Sequence, residues 1–211
     1  MRKTGFRMRM ALAALLALAV AAPASADAPG ISIQVRVKEA QGADPVPVSG
    51  AVASGRAGED VTVEVKECGS VAPFHADGGA QTQAGGLWST QIALLATAQV
   101  RAHWRGGTTD PVSVQVHPFM TLTYRGPGRW FVWIRAYDFF GGARAMLERQ
   151  TGGRWIAVKT FTLKRQPSAG VASTSGTVRA KVKKGTLLRV VLPKSQAGRC
   201  YLAGATNTIK A

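Results

Sequence analysis

From residue 60 to residue 66 the chain reads Asp-Val-Thr-Val-Glu-Val-Lys, with valine at every second position. Successive side chains of a strand point to opposite faces, so this pattern buries one face of a sheet and wets the other. A helix, with its period of 3.6, would scatter the same valines around its circumference. The alternation returns at residues 31–38 and 177–183. Further strands are predicted at 46–54, 87–94, 98–104, 111–116, 121–124, 130–137, 144–149, 155–163, 187–192 and 205–210. Glycine-rich turns separate them, at Gly55/Gly58, Gly78-Gly79, Gly85-Gly86, Gly106-Gly107, Gly126-Pro127-Gly128, Gly141-Gly142 and Gly152-Gly153. Short strands at such spacing predict an all-β sandwich or barrel. Apart from the first 26 residues, no helical period runs beyond about two turns. An apolar content of 46% supplies a core and excludes a disordered chain.

The N-terminus reads differently. Arg2, Lys3, Arg7 and Arg9 precede an unbroken apolar stretch from Met10 to Ala22, and Ala24-Ser25-Ala26 follows. A basic start, a short apolar core and a small-x-small site describe a secretory signal peptide, with cleavage expected after Ala26. The apolar run is shorter than the roughly 20 residues a bilayer requires. The mature chain is therefore expected to be secreted, extracellular or held in the cell envelope (the periplasm where there are two membranes), with no transmembrane segment.

Charge divides the rest. Residues 27–119 carry six basic and nine acidic side chains, hence 6 − 9 = −3; residues 120–211 carry seventeen and two, hence 17 − 2 = +15. Such asymmetry points to a polyanionic partner. A weak internal repeat falls at the same place. Gly-Gly-Leu-Trp-Ser (85–89), 100–104 and 108–116 are echoed by Ser-Gly-Thr-Val-Arg (175–179), 188–192 and 206–210. The offset of roughly ninety residues suits an immunoglobulin-sized sandwich of about 100 residues. A slightly acidic module over 27–118 and a strongly basic one over 119–211 are expected, hinged near Pro118.

The stretch 55–65, then Cys68-Gly69, Gly85 to Trp88, Trp104 and 108–116, resembles the tandem immunoglobulin-like or fibronectin type III-like modules of secreted bacterial surface proteins. In those modules a Gly-x-x-Gly-x-x-Val-x-Val strand entry leads to a Gly-x-Trp turn and a closing strand of alternating valines. Residues 141–147 and 153–158 follow the same plan in the second half. The resemblance implies two tandem immunoglobulin-like β-sandwich domains serving as spacer or binding module. Neither half has the Cys…Trp…Cys spacing of antibody domains.

Catalytic chemistry finds little support. His75, His103 and His117 lie in separate predicted elements without metal-ligand spacing, so no metal and no cofactor are expected. No Gly-x-Ser-x-Gly elbow occurs, and Ser175-Gly176 reads as a turn among small residues. The acidic cluster Glu59, Asp60, Glu64 and Glu67 follows one strand without the oxygen spacing of a calcium loop. A hydrolase is left as the weakest reading, resting on a carboxylate pair that sequence alone cannot bring together. Cys68 and Cys200 can bridge the two modules, stay free or pair between chains. Trp130 and Trp133 are expected on opposite faces of one strand, and Trp88 and Trp155 in the core.

The basic residues carry the functional signal. Arg179, Lys181 and Lys183 alternate with Val178, Ala180 and Val182, so three cations line one face at about 6.6–7 Å spacing. Lys184 and Arg189 are expected to widen this stripe, with Lys164, Arg165 and Arg199 beside it. A charge of +15 exceeds the magnitude of about 2–8 that solubility asks of a small domain. The expected function is a non-catalytic exported interaction protein whose second module binds an anionic wall polymer, polysaccharide or lipid surface. Extracellular DNA would be held through its charge only, since no sequence-specific nucleic-acid motif is present. The alternative is a structural spacer without a specific ligand.

Overall fold

In the computed structural model, residues 30–137, 140–166 and 172–211 are described. The expected signal peptide over 1–26 lies outside the described residues, as does Asp138. Strands come in chain order as β1 (Gln34–Val35), β2 (Glu39–Gln41), β3 (Pro45–Ala51), β4 (Asp60–Glu67), β5 (His75–Gln81), β6 (Leu87–Ala93), β7 (Ala98–Trp104), β8 (Gly107–Thr108) and β9 (Val112–His117). They continue as β10 (Phe119–Tyr124), β11 (Arg129–Ala136), β12 (Arg144–Thr151), β13 (Arg154–Thr162), β14 (Lys164–Gln166), β15 (Ala172–Arg179), β16 (Leu187–Leu192), β17 (Gly204–Ala205) and β18 (Ile209–Lys210). One short helix, α1 (Lys194–Ala197), follows β16.

Four sheets form two sandwiches. Sheet β1–β3–β6 faces β2–β9–β7–β4–β5, where β8 joins β7. Between them lies a cluster containing Val46, Val48, Trp88 and Ile92 from one sheet and Val61, Val63, Val65, Val100 and Val114 from the other. Val61, Val63 and Val65 of β4 are 2%, 0% and 0% exposed, while Glu64 between them faces outward to Arg101 at 2.7 Å. Sheet β10–β11–β15–β14 faces β13–β12–β16–β17, where β18 joins β16. Its core contains Leu122, Trp130, Val132 and Ile134 against Leu147, Leu188, Val190 and Leu192.

Several segments depart from expectation for visible reasons. The strand expected over 31–38 pairs with β3 only through an Ile31–Val52 bridge and the two residues of β1. In that register Arg36 would meet Pro47, which has no N–H to offer, and the chain crosses to the other sheet as β2, parallel to β9. Gly78-Gly79, expected as a turn, lies inside β5. There a Cβ on Gly78 would sit 3.1 Å from Ile92, so the bare backbone lets β5 close over β6. Ser175-Gly176 is likewise strand, within β15. A Cβ on Gly176 would stand 2.5 Å from the Phe161 ring, which fills the place a side chain would take. The final strand is broken into β17 and β18 because Asn207 turns away to β10: it accepts from Leu122 N at 2.8 Å and donates to Leu122 O at 3.3 Å. Trp155, expected in the core, stands on an outer face beneath the Arg189 guanidinium, 4.3 Å from the ring centre.

The two cores are tied together. Cys68 and Cys200 form a disulfide with Cα atoms 5.4 Å apart. The residues after Cys200 run along the first sandwich: Thr97 N donates to Cys200 O at 3.0 Å and Leu202 N to Val116 O at 2.9 Å. Ala96, from the loop before β7, is fully buried in the second core. Gln41 Nε2 donates to Pro118 O at 2.7 Å, which fixes the short connection between β9 and β10.

Candidate anion-binding face

The hairpin β10–β11 closes through Arg125 N donating to Arg129 O and Arg129 N donating to Gly126 O, both at 2.9 Å. Gly126 at φ +111° supplies a turn conformation that side-chain-bearing residues rarely adopt. This places Arg125 beside Arg129. On the far side of β11, Arg129 is paired directly with Arg179 of β15. Three arginines therefore stand in one transverse row, Arg129 and Arg179 on neighbouring strands about 4.8 Å apart and Arg125 at the hairpin turn just past β10. All three are exposed. Among the described residues none forms an ion pair with a carboxylate, and Arg125 instead lies 5.2 Å from the Phe131 ring centre.

Two unit charges about 5 Å apart repel by about 1 kcal/mol even in bulk water. Like charges directly opposite on neighbouring strands are destabilising. Arg129 and Arg179, directly paired, are such a like-charged pair.

The same face continues away from the row. Phe131 pairs with Thr123 on one side and Thr177 on the other; Trp133 pairs with Thr121 and Ser175; Lys164 of β14 pairs with Ser175. Together they line an open groove of about 840 Å³, and no Asp or Glu is among its described lining. Phe119 meets Trp133 edge-on, with ring centres 6.4 Å apart. Gln166 Nε2 donates to Ser175 Oγ at 2.8 Å at the groove floor.

The sequence-predicted cations fall in different places. Arg179 belongs to the row. Lys181 lines a second cleft of about 500 Å³ together with Arg129 and Arg179. Strand pairing ends at Arg179, four residues before the strand end expected at 183, because its partner β11 begins at Arg129. Beyond it Lys181, Lys183 and Lys184 remain exposed, the last two entering a turn in which Thr186 Oγ1 donates to Lys183 O. Arg189 does not join them. It sits on β16, in the opposite sheet, donates from Nε to Glu148 at 2.8 Å and covers Trp155. A carboxylate and an aromatic ring already occupy it. Arg199 lies near Gly69, beside the disulfide.

Arg125, Arg129 and the rings of Phe131 and Trp133 were not singled out as a site by the sequence. The signal was present: Arg129, Phe131, Trp133 and Arg135 share one parity on β11. Trp130 and Trp133 take opposite faces of β11, as expected, and Trp133 is the one on the outer face.

Among the described residues no three His, Cys, Asp or Glu come together to hold an ion. No described helix is long and apolar enough to cross a membrane.

No family model matches the chain, and no curated protein matches it. Among solved structures it is similar to a tetra-tandem repeat in the extending region of a large adhesion protein, at 13% identity and a TM-score of 0.33, covering 86% of this chain and 48% of that one. It is also similar to Salmonella alpha-2-macroglobulin reacted with methylamine, at 15% identity and a TM-score of 0.31, covering 91% of this chain and 16% of that one. The chain thus spans about half of the first structure and a smaller part of the second. Both likenesses are too distant to carry a function across.

Proposed function

We propose that this is an exported, non-catalytic interaction protein of the cell surface or envelope, built as a module over 27–118 and a basic module over 119–211. The second module binds an anionic polymer or surface through Arg125, Arg129 and Arg179, extended by Lys181, Lys183 and Lys184. One observation carries this: exposed Arg129 and Arg179 are paired on neighbouring strands and exposed Arg125 adjoins Arg129 across the hairpin turn, with no carboxylate partner among the described residues. The disulfide supports an oxidising, extracytoplasmic setting. The clamp between the cores supports a spacer role beside binding, because it holds the basic face in a fixed orientation.

The test is retention of the full chain on a phosphate-rich wall polymer and on anionic vesicles across a salt series. Three engaged arginines give a slope of log K against log salt of about −2 to −3. An Arg125→Gln, Arg129→Gln, Arg179→Gln triple variant should lose most of that slope. Equal retention of triple variant and parent at every salt concentration would leave the spacer as the better account.

A further inference from the structure

We propose that the groove beside the arginine row is a subsite for an acidic saccharide, with Trp133 as its stacking platform. The inference rests on the anionic-polymer reading and narrows its ligand class.

A polymer recognised by charge alone needs cations and nothing else. This groove offers more. Thr121, Thr123, Ser175 and Thr177 present hydroxyls around Phe131 and Trp133, and Gln166 adds an amide. Such donors and acceptors match a ligand that is itself rich in hydroxyl groups. Trp133 is half-buried at the floor and its ring is fixed by the edge contact with Phe119. The face of an indole is electron-rich, and the ring C–H groups of a pyranose carry partial positive charge, so the two attract while apolar surface is buried.

The charges say which saccharide. Arg125 and Lys164 both line the groove and no described carboxylate does. A neutral sugar would leave these cations without partners, whereas a uronate or sulfate group gives each a charge-assisted hydrogen bond. The shape fits a chain more than a single unit. From the rung of Ser173 and Arg135 to that of Arg129 and Arg179 there are three same-face steps along the strands, about 20 Å. Nucleic acid single strands also combine stacking with cations, but successive bases need successive platforms. Here Phe131 is already covered by the Arg125 guanidinium, which leaves Trp133 as the uncovered ring among the groove's described lining.

The experiment titrates the full chain with four probes at one salt concentration: oligogalacturonate, its methyl ester, linear polyphosphate and oligo-dT. The variants are Trp133→Ala, Trp133→Phe, Lys164→Glu and the Arg129→Gln, Arg179→Gln pair. Oligogalacturonate should bind at least ten-fold more weakly to Trp133→Ala, less than three-fold more weakly to Trp133→Phe, and at least three-fold more weakly to Lys164→Glu. Polyphosphate affinity should be unchanged by either Trp133 substitution, and the methyl ester should bind at least ten-fold more weakly than the acid. Should Trp133→Ala melt below the assay temperature, Lys164→Glu, an exposed change, and Trp133→Phe decide the matter. The saccharide inference is overturned if Trp133→Ala and Lys164→Glu leave oligogalacturonate affinity within two-fold, if the ester binds as well as the acid, or if oligo-dT binds more tightly in a Trp133-dependent way. In the first of these cases the arginine row still stands if its double variant weakens polyphosphate. Loss of that effect too would remove the broader proposal.

Discussion

Replacing Cys68 and Cys200 with alanine tests how the two sandwiches are coupled. The disulfide closes a loop of 132 residues. In the chain-entropy description, closing such a loop withholds about 17 cal/mol/K from the unfolded ensemble, or about 5 kcal/mol at 25 °C. The folded chain should change little, because the residues around Cys200 stay attached through Thr97 N to Cys200 O and Leu202 N to Val116 O. Alanine is the right replacement: Cys200 is 4% exposed, and a serine hydroxyl there would add a desolvation cost of its own. Each kcal/mol shifts the midpoint of a chain this size by about 2–4 °C. The double variant should therefore melt about 10–20 °C below the parent, with urea denaturation giving the matching free energy. A second result is expected in the same scans. The parent unfolds in one transition and the variant in two, because the bridge no longer forces the cores to share an unfolded state. A loss below about 3 °C with a single transition retained would refute the reasoning and place the coupling in the buried contacts around Ala96 instead.

Three other outcomes follow from the second sandwich. Gly176→Ala should cost about 1–3 kcal/mol by urea denaturation, because its Cβ would stand 2.5 Å from the Phe161 ring and 3.1 Å from Leu163. Arg129→Thr removes the middle of the arginine row and should raise stability by about 0.2–1 kcal/mol while weakening anionic-polymer retention, a pairing of effects that a merely solubilising arginine would not show. Arg189→Gln should leave that retention unchanged and cost about 1 kcal/mol, because Arg189 serves Glu148 and Trp155 on the far side of the sandwich.

Strict alternation made a strand legible where a neighbour could pair along its whole length, as in β4, but not at 31–38, where Pro47 offers no N–H, nor beyond Arg179, where β11 has already ended. Val61, Val63 and Val65 declare β4 because each second residue must be apolar for one face to be buried. Residues 75–81 hid β5, since His-Ala-Asp-Gly-Gly-Ala-Gln has no apolar face; its pairing comes from β4 and its Gly78 from the need to clear Ile92. The break between β17 and β18 was hidden because Asn207 is recruited by Leu122, 85 residues away. Of the basic site, Arg179 was visible by parity, whereas Arg125 and Arg129 join it through a hairpin register that local sequence does not state. The contrast between Arg179 and Arg189 also depends on which sheet each strand enters. Composition counted both as cations, and only tertiary pairing separates the solvated one from the one already matched.

The disulfide also decides how the chain would carry a load. Suppose a pull is applied at residue 30 and residue 211. Force entering through β1 to β4 reaches Cys68, crosses the covalent bridge and leaves through 200–211. The intervening 132-residue separation lies off the path of tension. Its extended length, about 460 Å at roughly 3.5 Å per residue, cannot be paid out while the bridge is closed. β10 to β16, with the arginine row and its groove, would stay folded and unstretched while the ends strain. A reductant would convert the same molecule from a short tether into a long one.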